Sequence, residues 1–138
     1  MYKRQVRITG TAFKDIAPEI QEALDTALAG TLNLQQDALN KANPVDSGRM
    51  ASSWRIGKNR RPNADRGEDW ESDVGVKWEY EGEITFEGKW FLSNNTPYAT
   101  FIAFNYPPSA TKAQKDWFTS VANQTGNVFS RQFNKVKP

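Results

Sequence analysis

Residues 16–42 read IAPEIQEALDTALAGTLNLQQDALNKA. Ile16, Ile20, Leu24, Ala27, Leu28, Leu32, Gln35, Ala38, Leu39 and Ala42 recur at steps of three and four, the period of an amphipathic helix. Asp15, Glu19, Glu22 and Asp25 fall in its first turns, where the positive end of the helix dipole favours acids. Pro18 suits a first-turn position, because its missing N–H would have no partner there. Gly30 lies mid-helix and marks a bend or a close packing contact. Pro44 disfavours helical geometry at Asn43, so the helix is expected to stop near Lys41.

Working outward, the pattern changes on both sides. Upstream, Tyr2 to Thr9 alternate weakly, which predicts a short strand or a pairing arm ending at Gly10. Downstream, Asn43 to Met50 is a turn segment built on Pro44, Asp46, Ser47 and Gly48. Met50, Ser52, Trp54 and Ile56 then alternate with Ala51, Ser53 and Arg55, which predicts a strand. Residues 58–73 carry Lys58, Arg60, Arg61 and Arg66, then Glu68, Asp69, Glu71 and Asp73, with Trp70 as the one large apolar residue. This composition predicts an exposed, mobile loop. Strands are expected at Val74–Tyr80 and within Glu83–Leu92, with Glu81-Gly82 as a hairpin turn. Tyr98 to Tyr106 reads as a short aromatic strand closed by Pro107-Pro108. A last helix is expected from about Thr111, with Trp117, Phe118, Val121, Ala122, Thr125, Val128, Phe129 and Phe133 as its apolar stripe and Gly126 weakening its middle.

This order predicts an α+β fold of one domain, residues 1–138. The long N-terminal helix and the C-terminal helix would pack on one face of a mostly antiparallel sheet. The length of 138 residues suits a single core. The mean hydropathy of −0.73 makes that core lean, so some of the 8 Phe, 5 Trp and 4 Tyr are candidates for an interface.

The inventory for chemistry is thin. With no Cys, disulfides and thiol catalysis are excluded; with no His, the commonest general base and metal ligand is absent. The carboxylates Asp65, Glu68, Asp69, Glu71 and Asp73 lack the alternating spacing of a calcium loop and read as solvated. Glu79, Glu81, Glu83 and Glu87 read as the polar face of a sheet. There is no phosphate-binding glycine motif. The expectation is therefore a protein without catalytic residues, cofactor or metal. No apolar run approaches the ~18 residues of a membrane span, and the basic N-terminus has no apolar stretch behind it. A cytoplasm-like compartment is expected.

Charge is unevenly placed. Residues 65–87 hold 9 acids against 2 bases, and residues 88–138 hold 6 bases against 1 acid. Such a division suits a ring in which an acidic face meets a neighbour's basic face. Scatter over a monomer's surface fits equally well. Arg55, Lys58, Arg60, Arg61 and Arg66 form a basic run that would suit nucleic acid, with aromatics nearby to stack on bases. The acids that follow directly would oppose a phosphate track.

Two segments carry a resemblance. The first is Pro44-Val45-Asp46-Ser47-Gly48-Arg49-Met50-Ala51-Ser52-Ser53-Trp54, directly after the long helix. The second is Asn94-Asn95-Thr96-Pro97-Tyr98-Ala99-Thr100-Phe101-Ile102, ahead of the C-terminal helix. Together they resemble the tail-completion, or head-to-tail joining, proteins of long-tailed bacteriophages. In that family a long helix leads into a P-V-D-T/S-G turn, and an N-x-x-x-Y-A turn follows later. The resemblance spans about Ile16 to Phe129. It departs from the family after Tyr98-Ala99, where Ala103-Phe104-Asn105-Tyr106 replaces an acid-and-glycine ending, and in the length of the 58–73 insert.

The resemblance implies a structural virion protein at the neck, assembled in the host cytoplasm. Its partners would be copies of itself in a sixfold ring, the head connector or adaptor proteins, and the tail tube or terminator. Contact with DNA in the channel would be incidental. The motif residues Pro44, Asp46, Ser47, Gly48, Trp54, Asn95, Tyr98 and Ala99 then serve folding, with Trp54, Tyr98 and Phe101 packing the first helix onto the sheet. Assembly surfaces are expected on the N-terminal arm, the 58–73 loop and the basic C-terminus, with Arg55, Lys58, Arg60, Arg61, Trp70, Arg131, Lys135 and Lys137 as candidates. The alternatives are a tail terminator that caps the tube, or a nucleic-acid-binding module using residues 58–66.

Overall fold

The structure is a computed structural model in which residues 16–44, 48–73, 75–104 and 111–138 are described. The expected arm at Tyr2–Thr9, the motif residues Asp46 and Ser47, and Pro107-Pro108 lie outside the described residues. The fold is α+β, with a long N-terminal helix packed against a C-terminal helix.

Helix α1 runs Pro18–Ala42 with proline in its first turn. It ends where expected: Asn43 takes an extended conformation (φ −61°, ψ 127°) ahead of Pro44. Gly30 is a contact site rather than a bend, since a Cβ there would lie 2.8 Å from Gln132 Oε1 of the C-terminal helix.

The expected strand at Met50–Gly57 is corrected. Arg49–Ser52 form one helical turn, α2, and the strand β1 is Arg55–Lys58. Gly48, at φ 86°, turns the chain into this helix. The Ser52 and Ser53 hydroxyls then donate to Gly48 O and Arg49 O, each at 2.5 Å. These local bonds satisfy both buried hydroxyls within the turn, on residues whose alternation mimicked a strand. Met50 and Trp54, four apart, both reach the core.

The expected sheet shrinks to two strands among the described residues. β1 pairs antiparallel with β2, Trp90–Ser93, in the register Arg55↔Ser93, Ile56↔Leu92, Gly57↔Phe91 and Lys58↔Trp90. No hairpin forms around Glu81-Gly82, although Gly82 takes a positive φ of 128°. Val76–Tyr80 keeps strand-like alternation without a ladder. Its carbonyls bond to side chains: Asn40 Nδ2 donates to Val76 O at 2.5 Å, and Gln36 Nε2 to Trp78 O at 2.8 Å. The intervening Lys77 O faces Arg66, and the Lys77 ammonium meets Asn33 Oδ1 (3.0 Å) and Asp37 Oδ1 (3.2 Å). Asn33, Gln36, Asp37 and Asn40 stand at i, i+3, i+4 and i+7, one face of α1. A helix face thus does for this segment what a neighbouring strand does in a sheet.

The aromatic strand expected at Tyr98–Tyr106 is instead helix α3, Ala99–Phe104. Asn94 Oδ1 accepts from Thr96 N (3.2 Å) and Thr96 Oγ1 (2.9 Å), and the turn closes with Ala99 N on Thr96 O (3.0 Å). Trp54 is buried as expected, but Tyr98 is 38% and Phe101 59% exposed, so those two rings do not pack α1 onto the sheet.

The single C-terminal helix is two: α4, Lys112–Ala122, and α5, Thr125–Val136. Gly126 lies in the first turn of α5 and not in the middle of one long helix. Buried Gln35 satisfies the break, donating from Nε2 to Val121 O (2.7 Å) and Thr125 Oγ1 (2.8 Å). Both helices pack on α1. The core joins Leu39, Met50, Trp54, Ala103 and Trp117, flanked by Ala42, Leu92, Ala99, Ile102, Phe118 and Val121. Trp54 stacks on Phe118 (5.8 Å) and meets Trp117 edge-on (6.4 Å). Its indole N–H donates to Asn43 Oδ1 at 3.0 Å, so the buried polar tip is satisfied.

Candidate functional site

The two segments that carry the family resemblance meet in space. Asn94 Nδ2 donates to Met50 O at 2.6 Å. Ala99 and Ile102 pack on the Met50–Trp54 cluster. The Arg49 guanidinium sits 5.7 Å from the Tyr98 ring. Asn95 binds both backbone groups of Ala64: its N–H donates to Ala64 O at 3.0 Å, and its Oδ1 accepts from Ala64 N. Pro44 is exposed beside Asn43, whose Nδ2 donates to its carbonyl at 2.8 Å.

The 58–73 loop is therefore not free, as its composition suggested. Ala64 is fully buried. Arg49 grips Asp65 with two bonds, Nε to Oδ1 at 2.9 Å and Nη2 to Oδ2 at 2.8 Å. That fork holds the Asp65 carboxyl below its ordinary range and the Arg49 guanidinium above its own, against the opposing effect of burial. Arg66 N donates to Ser53 Oγ at 2.9 Å. Arg49, Ser52, Ser53 and Asn95, all outside the 58–73 stretch, do this anchoring, and nothing in the run's own composition announces it.

The tethered loop forms one wall of a cleft of about 960 Å³. β1 contributes Arg55, Ile56, Gly57 and Lys58; the loop contributes Arg60, Arg61 and Arg66; the opposite wall is residues 77–81. Six cations line it, Arg55, Lys58, Arg60, Arg61, Arg66 and Lys77, against the carboxylates Glu79 and Glu81. Rings and guanidinium groups interleave. Arg55 lies 4.4 Å from the Trp78 ring centre, and Arg66 lies 4.2 Å from Trp78 and 4.5 Å from Trp70. Lys58 lies 5.7 Å from Trp90, which meets Tyr80 edge-on at 5.4 Å. Burial, then the like charge of Arg55, pulls the Arg66 guanidinium below its ordinary value.

Of the candidate assembly residues, the fold gathers Arg55, Lys58, Arg60, Arg61 and, through Arg66, Trp70. Arg131 and Lys135 are exposed on α5 and take no part in the cleft. Sequence reading missed Lys77, Trp78 and Tyr80. Their alternation put Trp78 and Tyr80 on one face, but nothing local says which surface that face meets. Among the described residues no group of three or more carboxylates is placed to hold a metal ion, and no helix is long and apolar enough to cross a membrane. No protein-family model, curated protein or solved structure matches the chain.

Proposed function

We propose that this chain is a structural, non-catalytic protein of a tailed-phage virion, placed at the neck, where it completes the tail and joins it to the head connector. The observation that carries the reading is the pair of turn segments, Pro44–Trp54 and Asn94–Ile102, occurring in the family's order after a long helix. In this chain the two segments pack into one unit through Met50, Asn94, Ala99 and Ile102, which suits a pair of motifs that serve folding.

Two surface features suit assembly. Phe101 and Phe104 are 59% and 58% exposed on α3, with Tyr98 beside them, an apolar face of the kind that protein partners cover. The exposed Arg131 and Lys135 on α5 and the exposed acids Glu68, Asp69, Glu71 and Asp73 supply opposite charges for a heterologous, ring-closing contact. A sixfold ring follows from the family, not from this geometry.

Deleting the gene tests the proposal. Filled heads and separate tails that fail to join are expected. Tails that grow past normal length would instead indicate a terminator, and infectious particles of normal form would refute both.

A further inference from the structure

We propose that the cleft between β1 and residues 77–81 is a sequence-independent nucleic-acid site that grips the phosphate backbone. The sequence argued against such a site, because acids follow the basic run directly. The fold removes that objection. Asp65 is taken up by Arg49, and Glu68, Asp69, Glu71 and Asp73 do not line the cleft. Lys77 joins it from a separate segment.

The positive charge there is not neutralised internally. Lys77 pairs with Asp37, but among the described residues Arg55, Lys58, Arg60, Arg61 and Arg66 form no ion pair. Two glutamates share the cleft and still leave these five unpaired. The central guanidinium groups are held ready. Arg55 Nη1 donates to Asn63 O at 2.8 Å, and Arg66 Nε to Ser52 O at 3.1 Å, while Trp78 lies against both. Each guanidinium has five N–H donors in a fixed fork, so donors remain for phosphate oxygens.

Geometry also sets the binding mode. Trp78, the tryptophan that lines the cleft, already carries the Arg55 and Arg66 guanidinium groups against its ring, which leaves it little open face for base stacking. Recognition then falls to the backbone and carries no sequence information. Nucleic acid is favoured over an acidic peptide because every residue of its strand supplies a charge, and four of the six cations are arginines suited to bidentate phosphate contact.

The test is fluorescence anisotropy of the full chain with short labelled DNA oligonucleotides of differing sequence, across about 50–200 mM salt. Equal affinity for different sequences is expected, with a slope of log K on log salt of about −3.5 to −4.5 for five phosphate contacts. Arg60 and Arg61 are exposed and make no side-chain bond among the described residues, so the double variant R60A/R61A should keep its melting temperature. It should flatten the slope by about 1.4–1.8. Lys58→Ala alone should flatten it by about 0.7–0.9, and Lys135→Ala, remote on α5, should leave it unchanged. Absent binding, a salt-insensitive constant, an unchanged slope in R60A/R61A, or displacement of DNA by polyglutamate at equal charge would each overturn the proposal. The site does not depend on the neck reading. A chain that binds DNA but is dispensable for joining heads to tails would sink that reading and keep this one.

Discussion

Replacing Gly48 by alanine separates two physical effects that usually arrive together. Gly48 has φ 86°, and a Cβ built on it would lie 2.7 Å from both the backbone oxygen and the hydroxyl of Ser72. The left-handed backbone costs an alanine about 1–2 kcal/mol. The close approach adds overpacking at a buried turn, about 1–3 kcal/mol, because the nearest atom is backbone and cannot swing away. The total is about 2–5 kcal/mol. Gly67 supplies the control: its φ is 106°, but nothing lies within 4 Å of a Cβ there. Gly67→Ala should therefore lose only the conformational part. Urea unfolding of both variants measures the difference, with m-values unchanged if the native state is otherwise intact. In a chain of 138 residues each kcal/mol moves the melting temperature by roughly 3–5 °C. If Gly48→Ala is no less stable than Gly67→Ala, Ser72 does not crowd the turn, and the anchoring of the loop against α2 is wrong.

Gln35→Leu should cost about 1–3 kcal/mol in chemical denaturation, because the break between α4 and α5 loses two hydrogen bonds, those to Val121 O and Thr125 Oγ1, at about 0.5–1.5 kcal/mol each; amide exchange should quicken at residues 123–126 first. Gly30→Ala gains about 1 kcal/mol of helix propensity, which the 2.8 Å contact with Gln132 Oε1 opposes. The gain should emerge fully only in the double variant G30A/Q132A, and a gain from Gly30→Ala as large in the wild type as in the Gln132→Ala background would refute the contact. Asp65 is held below its ordinary value of 3.8, so its contribution is complete above that pH and fades as pH falls through the lowered folded value. The stability gap between the wild type and Asp65→Asn should accordingly be constant from pH 5 to 8 and close only as pH falls below 3.8 through the lowered folded value. A gap that persists in acid would mean that Asp65 acts through packing rather than charge.

Both long helical stretches were legible because a three-to-four step repeated over many residues has no strand counterpart. The ends of α1 followed from proline chemistry at Pro18 and Pro44, whereas the break between α4 and α5 has no proline and was read as one continuous helix. The short elements misled for a consistent reason. Met50, Ser52, Trp54 and Ile56 alternate, but Ser52 and Ser53 satisfy their hydroxyls locally and Met50 and Trp54, four apart, reach the core together, and four residues are too few for periodicity to prevail. Tyr98–Phe104 is rich in strand-forming rings, yet the turn set by Asn94 and Thr96 launches a helix whose buried contact is Ala103. Residues 76–80 do alternate, but their hydrogen-bond partners are amide side chains on α1, a pairing that no strand pattern reveals. Half of the cleft was visible as a basic run. The other half came from a segment whose placement depends on Gln36 and Asn40, residues that read as ordinary polar positions on a helix.

That dependence links the cleft to the core. Gln36 is 1% exposed, and its Nε2 donates to Trp54 O as well as Trp78 O, both at 2.8 Å. One amide thus ties the residue that anchors the core to the residue against which Arg55 and Arg66 rest. The side-chain oxygens of Gln36 and Asn40 are buried without a hydrogen-bond partner among the described residues, an expense unusual in an interior. An apolar residue at 36 would remove that unpaired acceptor but would take the donor from the buried Trp54 carbonyl and the partly buried Trp78 carbonyl and release the cleft wall. Gln36→Leu should therefore fail in two ways that can be measured apart. Stability should drop, and near-ultraviolet circular dichroism should lose tryptophan intensity beyond that lost in Gln35→Leu, because Trp78 would leave the two arginines. If Gln36→Leu and Gln35→Leu give the same spectrum, α1 does not position the cleft and its polar face serves only to cover the helix.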